Sequence, residues 1–209
     1  MQVLVSNPEF DNITRYLKIW SEKLIEQQSK KDHNFFQLNN KRANRKTLTG
    51  FLSKKSIDLV LLNGHGAPDC IGGYNNEILL DANNIQLLKG KVVHALSCNT
   101  AAKLGPLAMG VGAKGYVGYD QKFVLISNPH KISNPLNDTT ANLFLKPAFT
   151  APKALLNGKT ADEAVALAID AYKESIRIAL NSDIQSDDDK CASYLFWNMQ
   201  HIKSCKVEL

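Results

Sequence analysis

The chain of 209 residues lacks the features that mark several protein classes. No apolar run approaches the roughly 20 residues that a membrane helix needs. The opening Met-Gln-Val-Leu-Val-Ser-Asn-Pro has neither a basic flank nor a long apolar core, so it does not read as a signal peptide; the expected address is the cytoplasm, with no membrane partner. Collagenous repeats, low-complexity tracts and internal repeats are absent. There are only four cysteines, Cys70, Cys98, Cys191 and Cys205, with no CxxC pair. That excludes a disulfide-stapled scaffold and predicts free thiols. Metal-ligand spacing is also missing: His94 and Cys98 fall four apart on a strand, but His65, Cys70, His94 and Cys98 make a poor zinc set. No cofactor is expected.

Charge is present but unevenly placed. The net charge is +5. Between Lys30 and Lys55 stand eight basic residues and one acid, Asp32. Such a stretch serves as a solvated face or as a dock for an acidic partner. No aromatic residues are interleaved in a stacking pattern, so nucleic acid is not expected. Asp183, Asp187, Asp188 and Asp189 form a cluster of opposite sign.

Hydropathy patterning gives the architecture. Residues 3–6 read as a first strand. Ile13, Leu17, Trp20 and Leu24 recur at helical spacing over about 18 residues. Further strands are expected at 34–38, 57–62, 91–96 and 115–119, and a short helix around Leu48, Phe51 and Leu52. The run 57–62 (Ile-Asp-Leu-Val-Leu-Leu) is too apolar to alternate, as in a parallel strand covered on both faces. Residues 64–76 read as a loop with room for a small hairpin, 83–88 as a helical turn, 100–109 as a helix ended by Gly110, and 124–135 as irregular. A helix is expected over 139–146. Thr160 and Glu163 fit a capping box ahead of a long helix whose face carries Ala164, Ala168 and Tyr172. An acidic loop at 182–190 and a final strand within 194–207 complete the chain. The result is a single α/β domain over residues 1–209, doubly wound, with a mainly parallel sheet of about six strands and helices on both faces.

Two strand ends carry chemistry. Strand 57–62 runs into Asn63-Gly64-His65-Gly66, and strand 91–96 into Ser97-Cys98-Asn99-Thr100. In an open α/β sheet, ligands gather outside the carboxyl ends of the strands. Neighbouring strands lie about 5 Å apart, so His65 and Cys98 could meet. A thiolate is the competent nucleophile, and a helix starting behind Cys98 would favour it. His65 would be the general base and then the acid. The amides of Gly66 and Cys98 could form an oxyanion hole. Taken singly, the cysteine is an ordinary packing residue and Gly-His-Gly an ordinary turn; the pairing is what carries weight. Gly110-Val111-Gly112-Ala113-Lys114-Gly115 matches GxGxxG, but it closes a helix and opens a strand, the reverse of a dinucleotide loop.

These segments resemble a known family. Asp-Leu-Val-Leu-Leu-Asn-Gly-His-Gly (58–66) resembles the histidine strand of the caspase–haemoglobinase group (clan CD) of cysteine peptidases. Val-Val-His-Ala-Leu-Ser-Cys-Asn-Thr-Ala (92–101) resembles its cysteine strand. Gly112–Gly118 is similar to the strand that follows, and 155–171 to the C-terminal segment of the bacterial CHAT proteases. The resemblance spans roughly residues 55–180. It implies a caspase-like fold, a His65–Cys98 dyad hydrolysing peptide bonds in protein substrates, and a bacterial setting with an activating protein partner. The Gln-Ala-Cys-Arg-Gly signature of caspases is absent, and Leu96 stands where legumain-like members have an acid. Inactive members exist, so a caspase-fold interaction module is the rival reading; a small-molecule-binding domain is a third, weakened by the lack of glycine in Ser6-Asn7-Pro8-Glu9. Asp120, at the end of strand 115–119, is expected to bind substrate by facing a basic side chain beside the scissile bond. Its plain alternative is to cap the strand or pair with Lys122.

Overall fold

The computed structural model describes residues 1–181 and 188–206. Asp183 and Asp187, and most of the acidic segment read at 182–190, lie outside the described residues. Six strands form the main sheet: β1 (Gln2–Asn7), β2 (Asn34–Asn39), β3 (Leu59–Asn63), β7 (Val92–Leu96), β8 (Gly115–Tyr119) and β9 (Ile202–Cys205). Their order is β2-β1-β3-β7-β8-β9. All neighbours are parallel except the edge pair β8–β9. A second, three-stranded antiparallel sheet, β4 (Gly66–Ala67), β5 (Cys70–Gly72) and β6 (Ile78–Asp81), grows out of the connection between β3 and β7.

Helices cover both faces of the main sheet. Alternation along each strand decides which residues face which layer. Val3, Val5, Leu59, Leu61, Leu96 and Val117 pack with α1 (Asn12–Gln28), α4 (Thr139–Leu156) and α5 (Ala161–Asn181). Leu4, Val60, Leu62, Val93, Ala95 and Tyr116 pack on the other side with α2 (Arg45–Lys54), α3 (Leu104–Gly110) and the small sheet. All five residues of β3 are buried, as an apolar run without alternation requires.

This winding opens a crevice. The chain leaves β1 toward the α1 layer, and it leaves β3 toward the opposite layer, where Ile71, Leu79 and Leu80 pack. Adjacent strands whose connections part to opposite faces leave a gap at their carboxyl ends. The residues after β1, β3 and β7 all meet there.

Four elements depart from the sequence expectation. The helix expected over 139–146 continues to Leu156 through Pro147 and Pro152. A proline inside a helix costs about 3 kcal/mol, but both prolines are buried with Ala148, Phe149 and Ala151 against the sheet. The final strand is only β9. Before it, residues 191–201 belong to helix α6 (Asp188–His201). Cys191, Ala192, Leu195 and Asn198 are its buried stripe; a polar Asn in that stripe hid the helical period. The helix expected over 100–109 begins only at Leu104. The hairpin expected within 64–76 is present as β4–β5, but β6, absent from that expectation, extends it to a three-stranded sheet. The capping box is present: the Thr160 amide and hydroxyl donate to Glu163, and the Glu163 amide donates to the Thr160 hydroxyl.

Candidate active site

His65 and Cys98 line one crevice of about 320 Å³ at the carboxyl edge of the sheet. Register brings them there. β3 and β7 pair from Leu59/Val92 to Asn63/Leu96, and the Gly64 amide donates to the Leu96 carbonyl (3.3 Å). Each strand therefore delivers its reactive residue two positions after its last paired residue.

The glycines on either side of His65 are demanded by contact. A Cβ on Gly66 would sit 2.7 Å from the Cys98 carbonyl oxygen and 2.9 Å from Ser97 Cβ. Gly64 has φ +152°, and a Cβ there would meet the Gly72 carbonyl oxygen at 2.8 Å. The histidine turn is thus seated directly on the cysteine turn. The Gly72 amide donates to the His65 carbonyl (2.9 Å). Gly66 and Ile71 then form the non-hydrogen-bonded type of antiparallel pair, and the Gly66 amide points away from its partner strand.

The imidazole is held by a residue that the sequence did not single out. Nε2 of His65 lies 2.6 Å from Oδ2 of Asp11. The other carboxylate oxygen of Asp11 accepts from the Thr14 amide and hydroxyl, both at 2.8 Å, and so caps α1. Partial burial alone would raise the Asp11 carboxyl, but the hydrogen bonds from His65 and Thr14 outweigh it and hold it below the usual value. The available signal was Asp11 followed by Thr14 just ahead of the helical period, a start pattern. Phe10 packs edge-on against the His65 ring.

Cys98 is less activated than the sequence suggested. Burial pushes its thiol up, and the positive charge of Lys122 offsets only part of that. Its S–H faces the Phe123 carbonyl at 3.8 Å. The expected helix dipole is remote. Asn99 is left-handed (φ 62°), its amide donates to the Gln121 carbonyl and that of Ala101 to the Tyr119 carbonyl. A left-handed residue interrupts the right-handed turn, so the seven-residue α3 starts six positions beyond Cys98. Helix-end effects fade within a turn.

The far wall is residues 122–125, with Ile13 and Leu17 of α1 beneath it. This wall is fastened from α6. Asn198, fully buried, accepts from the Val124 amide (2.9 Å) and donates to the Val124 carbonyl (2.7 Å). Trp197 donates its indole N–H to the Lys122 carbonyl (2.9 Å). Further along, the buried Asp138 carboxylate accepts from the Tyr16 hydroxyl (2.7 Å) and the Asn128 amide (2.8 Å). Burial, then Asp138, pushes the Tyr16 phenol up to about 12.

Asp120 does not join this crevice. Its carboxylate lies 2.7 Å from Nδ1 of His201 and 4.0 Å from Lys203, and it is not among the lining residues. It therefore pairs, with His201 rather than with Lys122, and the carboxylate floor expected for a basic side chain is not there. His94 is fully buried in the middle of β7. Among the described residues, no group of three or more His, Cys, Asp or Glu could hold a metal ion, and no helix is long and apolar enough to cross a membrane. Among the described residues, no disulfide joins the cysteines.

No known family's profile matches the chain, and no curated protein sequence matches it.

Proposed function

We propose that this chain is a cysteine peptidase of caspase-like fold, akin to the bacterial CHAT proteases, with His65 and Cys98 as its dyad. The observation that supports this most is the shared crevice, in which His65 is fixed by Asp11 and seated against the cysteine turn through Gly66. His65 takes the Cys98 proton, and the sulfur attacks the scissile carbonyl carbon. The oxyanion lies toward the amides of Gly66 and Cys98. The C–N bond breaks as the leaving amine receives the proton from His65, leaving a thioester. Water then attacks the thioester, and the thiol is restored.

The substrate is a protein or peptide, and the setting is the cytoplasm. An activating protein partner fits the raised Cys98 thiol, because its docking would change the surroundings that disfavour the thiolate. That same observation favours one other reading, a caspase-fold interaction module without catalysis. Cleavage profiling of a protein mixture with wild type, Cys98→Ala and His65→Ala separates them. Cleavages lost in both variants support the dyad; cleavage by Cys98→Ala equal to wild type refutes it. Alkylation of Cys98 no faster than that of the half-buried Cys70 favours the inactive module.

A further inference from the structure

The crevice beside Cys98 is apolar. Ile13, Leu17, Leu96, Phe123, Val124 and Leu125 supply most of its walls. Leu17 and Leu96 are almost fully buried, and Ile13, Phe123 and Leu125 are half-buried members of the adjoining core. The ionisable side chains in the lining are His65, Cys98 and Lys122. Among the described residues, none in the lining is an Asp or a Glu.

We propose, resting on the cysteine-peptidase reading, that this crevice is a specificity pocket for one long apolar side chain, of the Leu, Met or Phe class, next to the scissile bond. Volume and chemistry both favour it. About 320 Å³ holds such a side chain together with the adjoining peptide. A basic side chain would meet Lys122 and leave its own charge in apolar surroundings, where the acid beside the lining, Asp11, is already held by His65 and Thr14. An acidic side chain would meet Lys122 at one point only, and otherwise lose its water against six apolar walls. A small side chain would leave the walls uncovered. Burying a Leu or Phe side chain is worth about 10- to 100-fold over Ala.

The wall is also rigid where selection needs it. The two hydrogen bonds from Asn198 to Val124 fix the middle of segment 122–125. A pocket whose wall is held in place discriminates by shape without first having to order it.

The test uses the full chain and reads labelling of Cys98, not turnover. Peptidyl acyloxymethyl ketones differing only in the terminal side chain (Ala, Leu, Phe, Arg, Asp) are compared with iodoacetamide. In each ketone the Cys98 sulfur bonds to the methylene carbon as the carboxylate leaves. The Leu and Phe reagents are expected to label Cys98 about 10- to 100-fold faster than the Ala reagent, and the Arg and Asp reagents no faster than Ala. In Leu125→Glu, with the fold checked by circular dichroism, the Arg reagent is expected to gain and the Leu reagent to fall. An Arg or Asp reagent that leads in wild type overturns the pocket. So does equal labelling across the series while iodoacetamide still picks out Cys98; the dyad would then stand without this specificity. Should no reagent label Cys98 ahead of Cys70, both readings fall.

Discussion

Acid should weaken this protein through a residue far from the crevice surface. His94 lies mid-strand in β7, between Leu61 of β3 and Val117 of β8. It is 2 % exposed, and its Nε2 has no hydrogen-bond partner. Burial alone lowers its imidazole from 6.5 to about 3. A histidine lowered on folding binds its proton first in the unfolded chain, so unfolding takes up a proton between those values. Stability is therefore full above about 6.5 and is lost as pH falls toward about 3. One pH unit within that window corresponds to about 1.36 kcal/mol. Between pH 7.5 and pH 5 the loss is about 2 kcal/mol, and about 5 kcal/mol across the whole window. For a chain of this size, 2 kcal/mol is about 4–8 °C in Tm. Other groups also titrate here, so the measurement is a difference. Urea unfolding of wild type and of His94→Leu is followed at pH 7.5 and at pH 5. The variant is expected to lose about 2 kcal/mol less between the two. Equal losses in both proteins would refute the reasoning, because an imidazole that titrates near 6.5 in the folded state contributes no such slope.

Other perturbations test the architecture around the crevice. Gly66→Ala pushes a Cβ to within 2.7 Å of the Cys98 carbonyl oxygen, so the histidine and cysteine turns must separate; a loss of about 1–3 kcal/mol in urea and slower alkylation of Cys98 are expected. Asn198→Ala leaves both backbone groups of Val124 without their partner, for about 2–4 kcal/mol, and hydrogen exchange should rise at residues 122–125. Asp11→Asn keeps an equally good helix cap but removes the charge beside His65, so peptide cleavage should fall at least tenfold with Tm nearly unchanged. Asp11→Ala should lose the activity and about 1 kcal/mol as well, read by cleavage rate and thermal unfolding together.

How far the fold could be read from sequence depended on whether one signal dominated a segment. Apolar runs such as 57–62 and 91–96 have one solution in an α/β chain, a buried parallel strand, and β3 and β7 stand there within two residues. Where local preference and tertiary packing oppose each other, the local rule misleads. Pro147 argues for a helix end at Lys146, yet the apolar face that continues through Ala148, Ala151 and Leu155 recovers more by burial than the prolines cost. In α6 the misleading residue is Asn198. It occupies an apolar position in the helical stripe because Val124, seventy-four residues earlier, needs both its donor and its acceptor. No local pattern encodes that demand.

The site divides in the same way. That His65 and Cys98 share an edge follows from strand order, and strand order follows from consecutive apolar runs. The electrostatics do not follow. A helix beginning directly behind Cys98 was a reasonable inference from residues 100–109, and it implied a favoured thiolate. The left-handed Asn99, whose amide is spent on Gln121, delays that helix and leaves burial as the largest influence on the sulfur. Asp120 shows the complementary limit. Its place at the end of β8 was legible, but the direction of its carboxylate is set by His201, at the junction of α6 and β9. A strand running unbroken through 194–207 leaves the acid free to face the crevice; the helix that takes its place does not. With His201 in place the acid is paired outside the crevice, and the walls beside Cys98 are left to Leu17, Leu96 and Leu125. The lining of the crevice therefore depends on α6, whose Trp197 and Asn198 hold Lys122 and Val124 in place.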